Sequence, residues 1–155
     1  MRALLLLAAA LAASLVPASA AAQDRITDAS VRAFVTAQEQ AWNARKLDSW
    51  FAAFTPDATF TDQAYNGGKH PVPYGTSTLE EARRRIRKAA PSHETGRVFR
   101  IALAPDGRAA EVTTSLGILS GGRRLCASRV QTLVLAGGRL RSKGQTDTYI
   151  RCRAR

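Results

Sequence analysis

The sequence has little cysteine and little histidine, with two of each in 155 residues. A structural zinc site needs about four such ligands brought close together. Cys126, Cys152, His70 and His93 form no recognised metal motif, and His70 lies in a turn-rich segment typical of a surface loop. We therefore predict no metal site and no other cofactor. In an exported protein, an even pair of cysteines instead favours one disulfide, Cys126–Cys152.

The sequence also lacks a second long apolar run. Its one such run, residues 3–16, follows Met1-Arg2 and precedes the small residues of "PASAAAQ". This layout is typical of a secretory signal peptide, and the run is short of the roughly 20 residues that a membrane span needs. We predict a signal peptide over residues 1–22, with cleavage after Ala22 favoured over Ala20. The protein is then exported to the bacterial periplasm or beyond, and it has no transmembrane segment.

No low-complexity linker and no internal repeat interrupts the rest of the chain, so residues 23–155 are predicted to form a single domain. The net charge is +11. The basic residues are scattered and are not interleaved with aromatic residues, as they are in nucleic-acid grooves, so we predict no nucleic-acid partner. Electrostatic association with an anionic envelope surface remains open.

Helical signals come first along the mature chain. Thr27, Asp28 or Ser30 can cap a helix, whose inward stripe follows at helical spacing: Val31, Phe34, Val35, Gln38 and Trp42. A short second helix is expected to begin near Asp48 and to end at Pro56. The alternation of Ala58, Phe60 and Asp62 then predicts a strand.

A capping box, either Ser77 with Glu80 or Thr78 with Glu81, opens a third predicted helix. Four long strands separated by glycine-containing turns follow it: 98–103, 111–119, 125–135 and 140–152. Helices followed by an antiparallel meander indicate an α+β fold, in which the helices cover one face of a strongly bent sheet.

Two segments carry a family resemblance. "AWNARKLDSWFAAFTPDATFTD" joins a helix, a polar break, a second helix and a strand, and "YGTSTLEEARRRIR" places a glycine before a helix. With the long meander, they resemble the nuclear transport factor two-like superfamily, especially its SnoaL-like and ketosteroid-isomerase-like branch. The resemblance implies a cone-shaped antiparallel sheet, with N-terminal helices that close it around an apolar pocket. It indicates the fold but does not choose among the many activities that the fold carries.

The resemblance also implies a candidate catalytic residue. Asp62 falls where ketosteroid isomerases keep the aspartate that shuttles a proton beside a carbonyl. Gln38 and Gln131 align with the two oxyanion donors of those enzymes, a tyrosine and a protonated aspartate. A glutamine amide is less acidic than either group and stabilises an enolate less well. We therefore do not expect steroid isomerase activity.

Strand alternation predicts which side chains line the pocket. If Asp62 points inward, the inward set comprises Gln38, Trp42, Phe60, Arg129, Gln131, Gln145, Asp147 and Tyr149. Arg129 then has two interpretations. It forms a cross-strand ion pair with Asp147, or it clamps a ligand carboxylate or enolate while Asp62 acts as general base.

The same alternation constrains the disulfide. Cys126 and Cys152 share the outer sheet face only if the turn after Leu135 has an odd number of residues, such as Gly137-Gly138-Arg139. A two-residue Gly-Gly turn would place the cysteines on opposite faces and would rule the bond out.

The outer sheet face is β-branched, carries little charge and has no helix to cover it. It holds Val130, Thr132, Val134, Thr146, Thr148 and Ile150. Such a face is typical of a subunit interface, so we predict a homodimer formed through it.

Two functions are compatible with these residues. The first is an exported, non-catalytic domain that holds a small amphipathic or hydrophobic ligand, or a protein partner, in a conical pocket. The second is a lyase- or isomerase-type enzyme, like a polyketide cyclase, dehydratase or isomerase, with Asp62 as general base. We favour the first, because no complete catalytic set is present.

Overall fold

A computed structural model describes residues 24–152, so the predicted signal peptide, residues 1–22, lies outside the described residues. The elements, in chain order, are α1 (Asp28–Asn43), α2 (Leu47–Ala52), β1 (Phe54–Ala64), β2 (Val72–Thr78), α3 (Leu79–Lys88), β3 (Ser92–Leu103), β4 (Ala109–Ser120), β5 (Arg123–Ala136) and β6 (Arg139–Ile150). Within residues 24–152, no helix is long and apolar enough to cross a membrane.

The six strands form one sheet in the order β2-β1-β6-β5-β4-β3. Neighbouring strands are antiparallel except for β1 and β6, which run parallel. The sheet is curved and unclosed, with α1 packed near β3, and α3 near β1 and β2. The predicted α+β architecture, with helices on one face of a bent sheet, is confirmed.

Local capping signals set the helix starts. Thr27 and Ser30 form a capping box at α1, and Thr78 with Glu81 forms one at α3. In each box the side chains satisfy backbone N–H groups that have no partner within the helix. Of the two boxes considered for α3, the structure therefore contains the later one.

Pro56 does not end the second helix, contrary to the sequence prediction. The helix α2 ends at Ala52, and Pro56 lies inside β1. The pairing of β1 with β6 is interrupted between Phe54 and Thr59, and its pairing with β2 begins only at Thr59. Pro56 therefore occupies a stretch in which no ladder hydrogen bond from its nitrogen is needed.

The two larger clusters of the core are an aromatic half and an aliphatic half, and Leu116, Ile118 and Ala127 form a smaller third cluster. Trp50 is at the centre of the aromatic half, with ring centroids 4.7 Å from Phe54, 5.0 Å from Trp42 and 6.0 Å from Phe60. The aliphatic half includes Val31, Ala110, Val112 and Leu133. The aromatic half packs against α2, α3 and the end of α1, and the aliphatic half packs against the earlier part of α1.

The β5–β6 hairpin contradicts the predicted turn but keeps the disulfide. Ala136 pairs with Arg139, so the turn is the two-residue Gly137-Gly138. The Cys126–Cys152 disulfide is nevertheless present, with the two Cα atoms 5.2 Å apart. The expectation that a Gly-Gly turn excludes the bond is therefore wrong.

A β-bulge in β6 explains this outcome. Leu133 pairs with Ser142, whereas Gln131 pairs with Gln145, so β6 contains one residue more than β5 over this interval. The extra residue reverses the alternation of all later side chains in β6. Asp147 and Tyr149 are thereby directed to the inner face, and Cys152 to the outer face.

Gly144 makes this bulge sterically feasible. Its φ is +134°, a value that side-chain-bearing residues rarely adopt, and a Cβ there would lie 1.9 Å from the Thr59 carbonyl oxygen. The Ser142 hydroxyl bonds to the Gly144 backbone at both its nitrogen and its oxygen. The bulge therefore depends on close backbone contact between β6 and β1.

Candidate functional site

A cavity of about 310 Å³ lies between the inner sheet face and the helices. It is lined by Trp42, Trp50, Phe60, Thr61, Asp62, Arg85, Ile86, Ser92, Glu94, Ile118, Arg129, Gln145, Asp147 and Tyr149. Aromatic and aliphatic side chains supply one part of the lining, and charged and amide groups form a polar end. Small-molecule sites commonly combine a mostly apolar wall with a few polar groups in this way.

Seven of the side chains that the sequence assigns to the pocket line this cavity: Trp42, Phe60, Asp62, Arg129, Gln145, Asp147 and Tyr149. They come from α1, β1, β5 and β6. Those from β1 and β6 meet because the two strands run parallel, with Phe60 beside Gln145 and Asp62 beside Asp147.

Gln38 and Gln131 lie below the cavity and do not line it. Both are buried, and Gln131 Nε2 donates to Gln38 Oε1 at 2.9 Å. They border a separate void of about 10 Å³, and Trp50, Glu94 and Arg129 contribute to the walls of both spaces. Because these larger side chains separate the two spaces, neither glutamine reaches the cavity as an oxyanion donor.

Arg129 is held between two buried carboxylates. Its Nε and Nη2 donate to Asp147 at 2.8 Å each, and its Nη1 and Nη2 donate to Glu94 at 2.8 and 3.1 Å. Burial alone would lower the pKa of Arg129, but the charges of Asp147 and Glu94 raise that pKa well above its ordinary value. Arg129 is therefore an ion-pair partner for the protein's own carboxylates.

Sequence reasoning missed Glu94. The strand predicted over residues 98–103 began at Val98, whereas β3 begins at Ser92. Extending the alternation of β3 backwards from Val98 through Gly96 would have placed Glu94 on the inner face. The backbone of Glu94 is also held by Asn43, whose side chain both donates to it and accepts from it at 2.8 Å.

Asp62 is half-buried at the cavity wall, and its pKa is raised. Burial is the main cause and the Asp147 carboxylate adds to it, while Arg85 and Arg129 oppose the rise. The nearest cation, Arg85 Nη2, lies 3.7 Å from Asp62 Oδ2, and the Arg85 side chain is about half exposed. Asp62 is therefore a carboxylate without a short ion pair in the described residues.

Two tyrosines stand next to Asp62. The rings of Tyr74 and Tyr149 have centroids 6.3 Å apart. Burial, followed by the charge of Asp62, raises the pKa of both phenols above the ordinary value of 10.0. Both hydroxyls therefore remain protonated near neutral pH and can donate hydrogen bonds.

Gln145 leaves a buried acceptor unused beside the cavity. Its Nε2 lies 3.3 Å from Asp147 Oδ2, whereas its Oε1 is buried and has no hydrogen-bond partner among the described residues. Buried polar atoms are rarely left without a partner. Because this oxygen has almost no accessible surface, it is a buried unsatisfied acceptor and not an exposed part of the cavity wall.

Within residues 24–152, no group of three or more histidine, cysteine or acidic side chains is placed to hold a metal ion. Glu94 and Asp147 already share Arg129. The chemistry that these side chains offer is ion pairing, hydrogen bonding and proton transfer.

No protein-family model and no curated protein matches the chain. Solved structures do match it. A nuclear transport factor two-like protein of unknown function from Shewanella oneidensis has a TM-score of 0.62 at 12% identity, over 77% of this chain and 97% of that one. A ketosteroid isomerase-like protein from Erwinia carotovora atroseptica has a TM-score of 0.60 at 12% identity, over 80% and 96%.

The β subunit of a putative aromatic-ring-hydroxylating dioxygenase from Novosphingobium aromaticivorans is also similar, with a TM-score of 0.60 at 19% identity, over 81% of this chain and 90% of that one. Similarity at these identities shows the fold alone. The chain has the nuclear transport factor two-like fold, as the sequence resemblance implied.

Proposed function

We propose that this protein is an exported domain that binds a small amphipathic or hydrophobic molecule in its conical pocket without transforming it. The main support is the cavity of about 310 Å³, which combines an aromatic wall with a polar end. That volume lies within the range typical of small-molecule sites. A protein partner at the cavity mouth is the other occupant that we consider.

The arrangement of the polar groups favours binding over catalysis. Gln38 and Gln131 bond to each other outside the cavity, and Arg129 is engaged by Glu94 and Asp147. The glutamines lie outside the cavity lining and the arginine is engaged, so none of the three is placed to stabilise an oxyanion next to Asp62.

Asp62 supports a second candidate, a lyase- or isomerase-type enzyme. Its carboxylate lines the cavity, lacks a short ion pair and has a raised pKa. These are properties of a general base that removes a proton next to a carbonyl. The Tyr149 hydroxyl, which lies on the same wall, would be the donor to the carbonyl oxygen.

Export and dimerisation belong to the same proposal. The disulfide is compatible with an oxidising compartment, and the predicted signal peptide would direct the chain there. The uncovered outer sheet face, with Val130 and Thr146 paired at its centre, is the surface through which two copies would associate.

Native mass spectrometry of the protein purified from its source organism tests the binding function. We expect a co-purified small molecule, which Ile86→Trp should exclude by filling the cavity. Leu103→Trp, at an exposed position outside the cavity lining, is the matched control and should retain the molecule. An adduct that survives Ile86→Trp, or an unliganded mass from every preparation, would count against the proposal.

Deuterium exchange separates the two candidates. Small ketones are incubated with the protein in heavy water, and exchange at the carbon next to the carbonyl is followed by NMR. The enzyme candidate requires exchange that is lost in Asp62→Asn. The binding candidate predicts the same slow exchange with wild type, with Asp62→Asn and without protein.

A further inference from the structure

The cavity lining has more carboxylates than cations, with three acidic side chains against Arg85 and Arg129. Asp62, Glu94 and Asp147 are three of only 12 acidic residues in a chain of net charge +11, and all three line this one cavity. Arg129 uses four donor contacts on Glu94 and Asp147. The carboxylate that remains available to a ligand cation is therefore Asp62, whose nearest cation, the half-exposed Arg85, lies 3.7 Å away.

The aromatic lining is an independent feature of the same cavity. Trp42, Trp50, Phe60 and Tyr149 all contribute to it. The faces of such rings attract organic cations, and the attraction strengthens where water is excluded. Among the described residues, the one arginine that lies over a ring is Arg83, over Phe51. It is outside the cavity lining, so it does not occupy the cavity rings.

We infer that the pocket takes an organic cation: an amphipathic amine whose ammonium group lies against Asp62 and whose apolar part packs on the aromatic wall. This inference rests on the proposed binding function and adds the charge of the ligand to it. An ammonium group can donate to the Asp62 carboxylate, and hydrogen bonds between charged groups are about twice as strong as neutral ones.

An anionic ligand fits the cavity poorly. A ligand carboxylate would approach Asp62 and Asp147 and would have to displace one of the two carboxylates already bonded to Arg129. Arg85, the other cation at the cavity, is about half exposed and lies 3.7 Å from Asp62. Its charge is therefore screened by solvent, and its side chain is free to move away when an ammonium group enters.

Three probes of one shape test this inference: 4-phenylbutylamine, 4-phenylbutanol and 4-phenylbutyrate, titrated into the full protein by isothermal calorimetry near neutral pH. Trp42 and Trp50 line the cavity, so their fluorescence reports independently on binding there. We expect the amine to bind about tenfold or more tightly than the alcohol, and the acid to bind most weakly.

Asp62→Asn removes the charge that the amine needs and keeps the shape of the side chain. It should weaken amine binding about tenfold and leave the alcohol nearly unchanged. Asp57→Asn is the matched control: it removes the same charge from an exposed position on the same strand, where Asp57 forms an ion pair with Lys143. It should not affect any of the three probes.

The outcomes separate this inference from the proposed function. If the alcohol or the acid binds as tightly as the amine, with a change in tryptophan fluorescence, the pocket binds small molecules but the cationic class is wrong. Equal loss of amine binding in Asp62→Asn and Asp57→Asn would likewise overturn it, because the effect would then be one of overall charge. If none of the probes binds, the result counts against both the inference and the proposed function.

Discussion

Arg129 on β5 and Asp147 on β6 stand opposite each other in the antiparallel register, and both Asp147 oxygens accept from the guanidinium at 2.8 Å. The sequence left two roles open for Arg129, a cross-strand pair or a clamp for a ligand anion. The structure shows the pair and adds Glu94 as a second partner. A clamp would require Arg129 to release one of these carboxylates inside the fold.

Replacing Arg129 by methionine should destabilise the protein strongly. Glu94 and Asp147 would remain buried without their cation, and breaking a buried ion pair in this way costs about 3–5 kcal/mol. Urea unfolding followed by circular dichroism would measure the loss. The triple variant Arg129→Met, Glu94→Gln, Asp147→Asn is the matched control and should recover much of the stability. Equal instability of both variants would point to lost packing instead of unpaired charge.

Asp62→Asn should stabilise the protein near neutral pH. Because the pKa of Asp62 is raised in the folded state, mainly by burial, folding favours its protonated form. The stabilising contribution of Asp62 is therefore fully present below the unfolded pKa, near the ordinary value of 3.8, and is lost as the pH rises through the folded pKa. The melting temperatures of wild type and Asp62→Asn should differ at pH values above the folded pKa of Asp62. They should converge at pH values below its unfolded pKa. A constant difference at every pH would contradict this reasoning.

Replacing both cysteines by serine should lower the free energy of unfolding by about 3.5 kcal/mol, since the bond closes a loop with a sequence separation of 26. Chemical denaturation of the oxidised protein and of the double-serine variant measures the difference. Intact-mass analysis with and without reductant checks the premise, and two free thiols in the native protein would refute the disulfide.

Gly144→Ala should cost more than about 4 kcal/mol or prevent folding, because the new Cβ would meet the Thr59 backbone at 1.9 Å. Gly121→Ala is the matched control. Gly121 also has a positive φ, +54°, but a Cβ there meets nothing within 4 Å. The control should lose only about 1 kcal/mol, and similar losses for the two variants would show that φ, not the contact with β1, sets the cost.

Val130→Arg should dissociate the proposed homodimer, because it places a charge in the middle of the uncovered sheet face. Light scattering at tens of micromolar concentration would show a dimer for wild type and a monomer for the variant. Leu103→Arg, which adds the same charge at an exposed position on β3, should leave the dimer intact. A monomeric wild-type protein would contradict the proposal directly.

Much of this fold could be predicted from sequence because its signals are local. Capping boxes, the stripe of α1 and the alternation around Asp62 act within a few residues. The placement of Pro56 could not be predicted, because it depends on which part of β1 has neighbours.

The candidate site was likewise predictable from the sequence only where its signals are local. Strand parity placed Asp62 and Asp147 on one wall, but the partition that excludes Gln38 and Gln131 is made by side chains from three separate elements. The sequence prediction joined β5 and β6 through a turn with an odd number of residues, whereas the structure has the two-residue turn Gly137-Gly138. Leu140 and Asp147 both face inward although they are seven residues apart, which alternation alone forbids, and this mismatch was the signal for a bulge.

The bulge at Gly144 also identifies where β6 could change length during evolution. Loss of Lys143 alone would convert the bulge into regular pairing and would leave every later side chain on its present face. Loss of one residue beyond the bulge would exchange the two faces from that point to the disulfide. Homologues with a shorter last strand are therefore expected to lack the residue before this glycine, with the pocket lining and the cysteine pair retained.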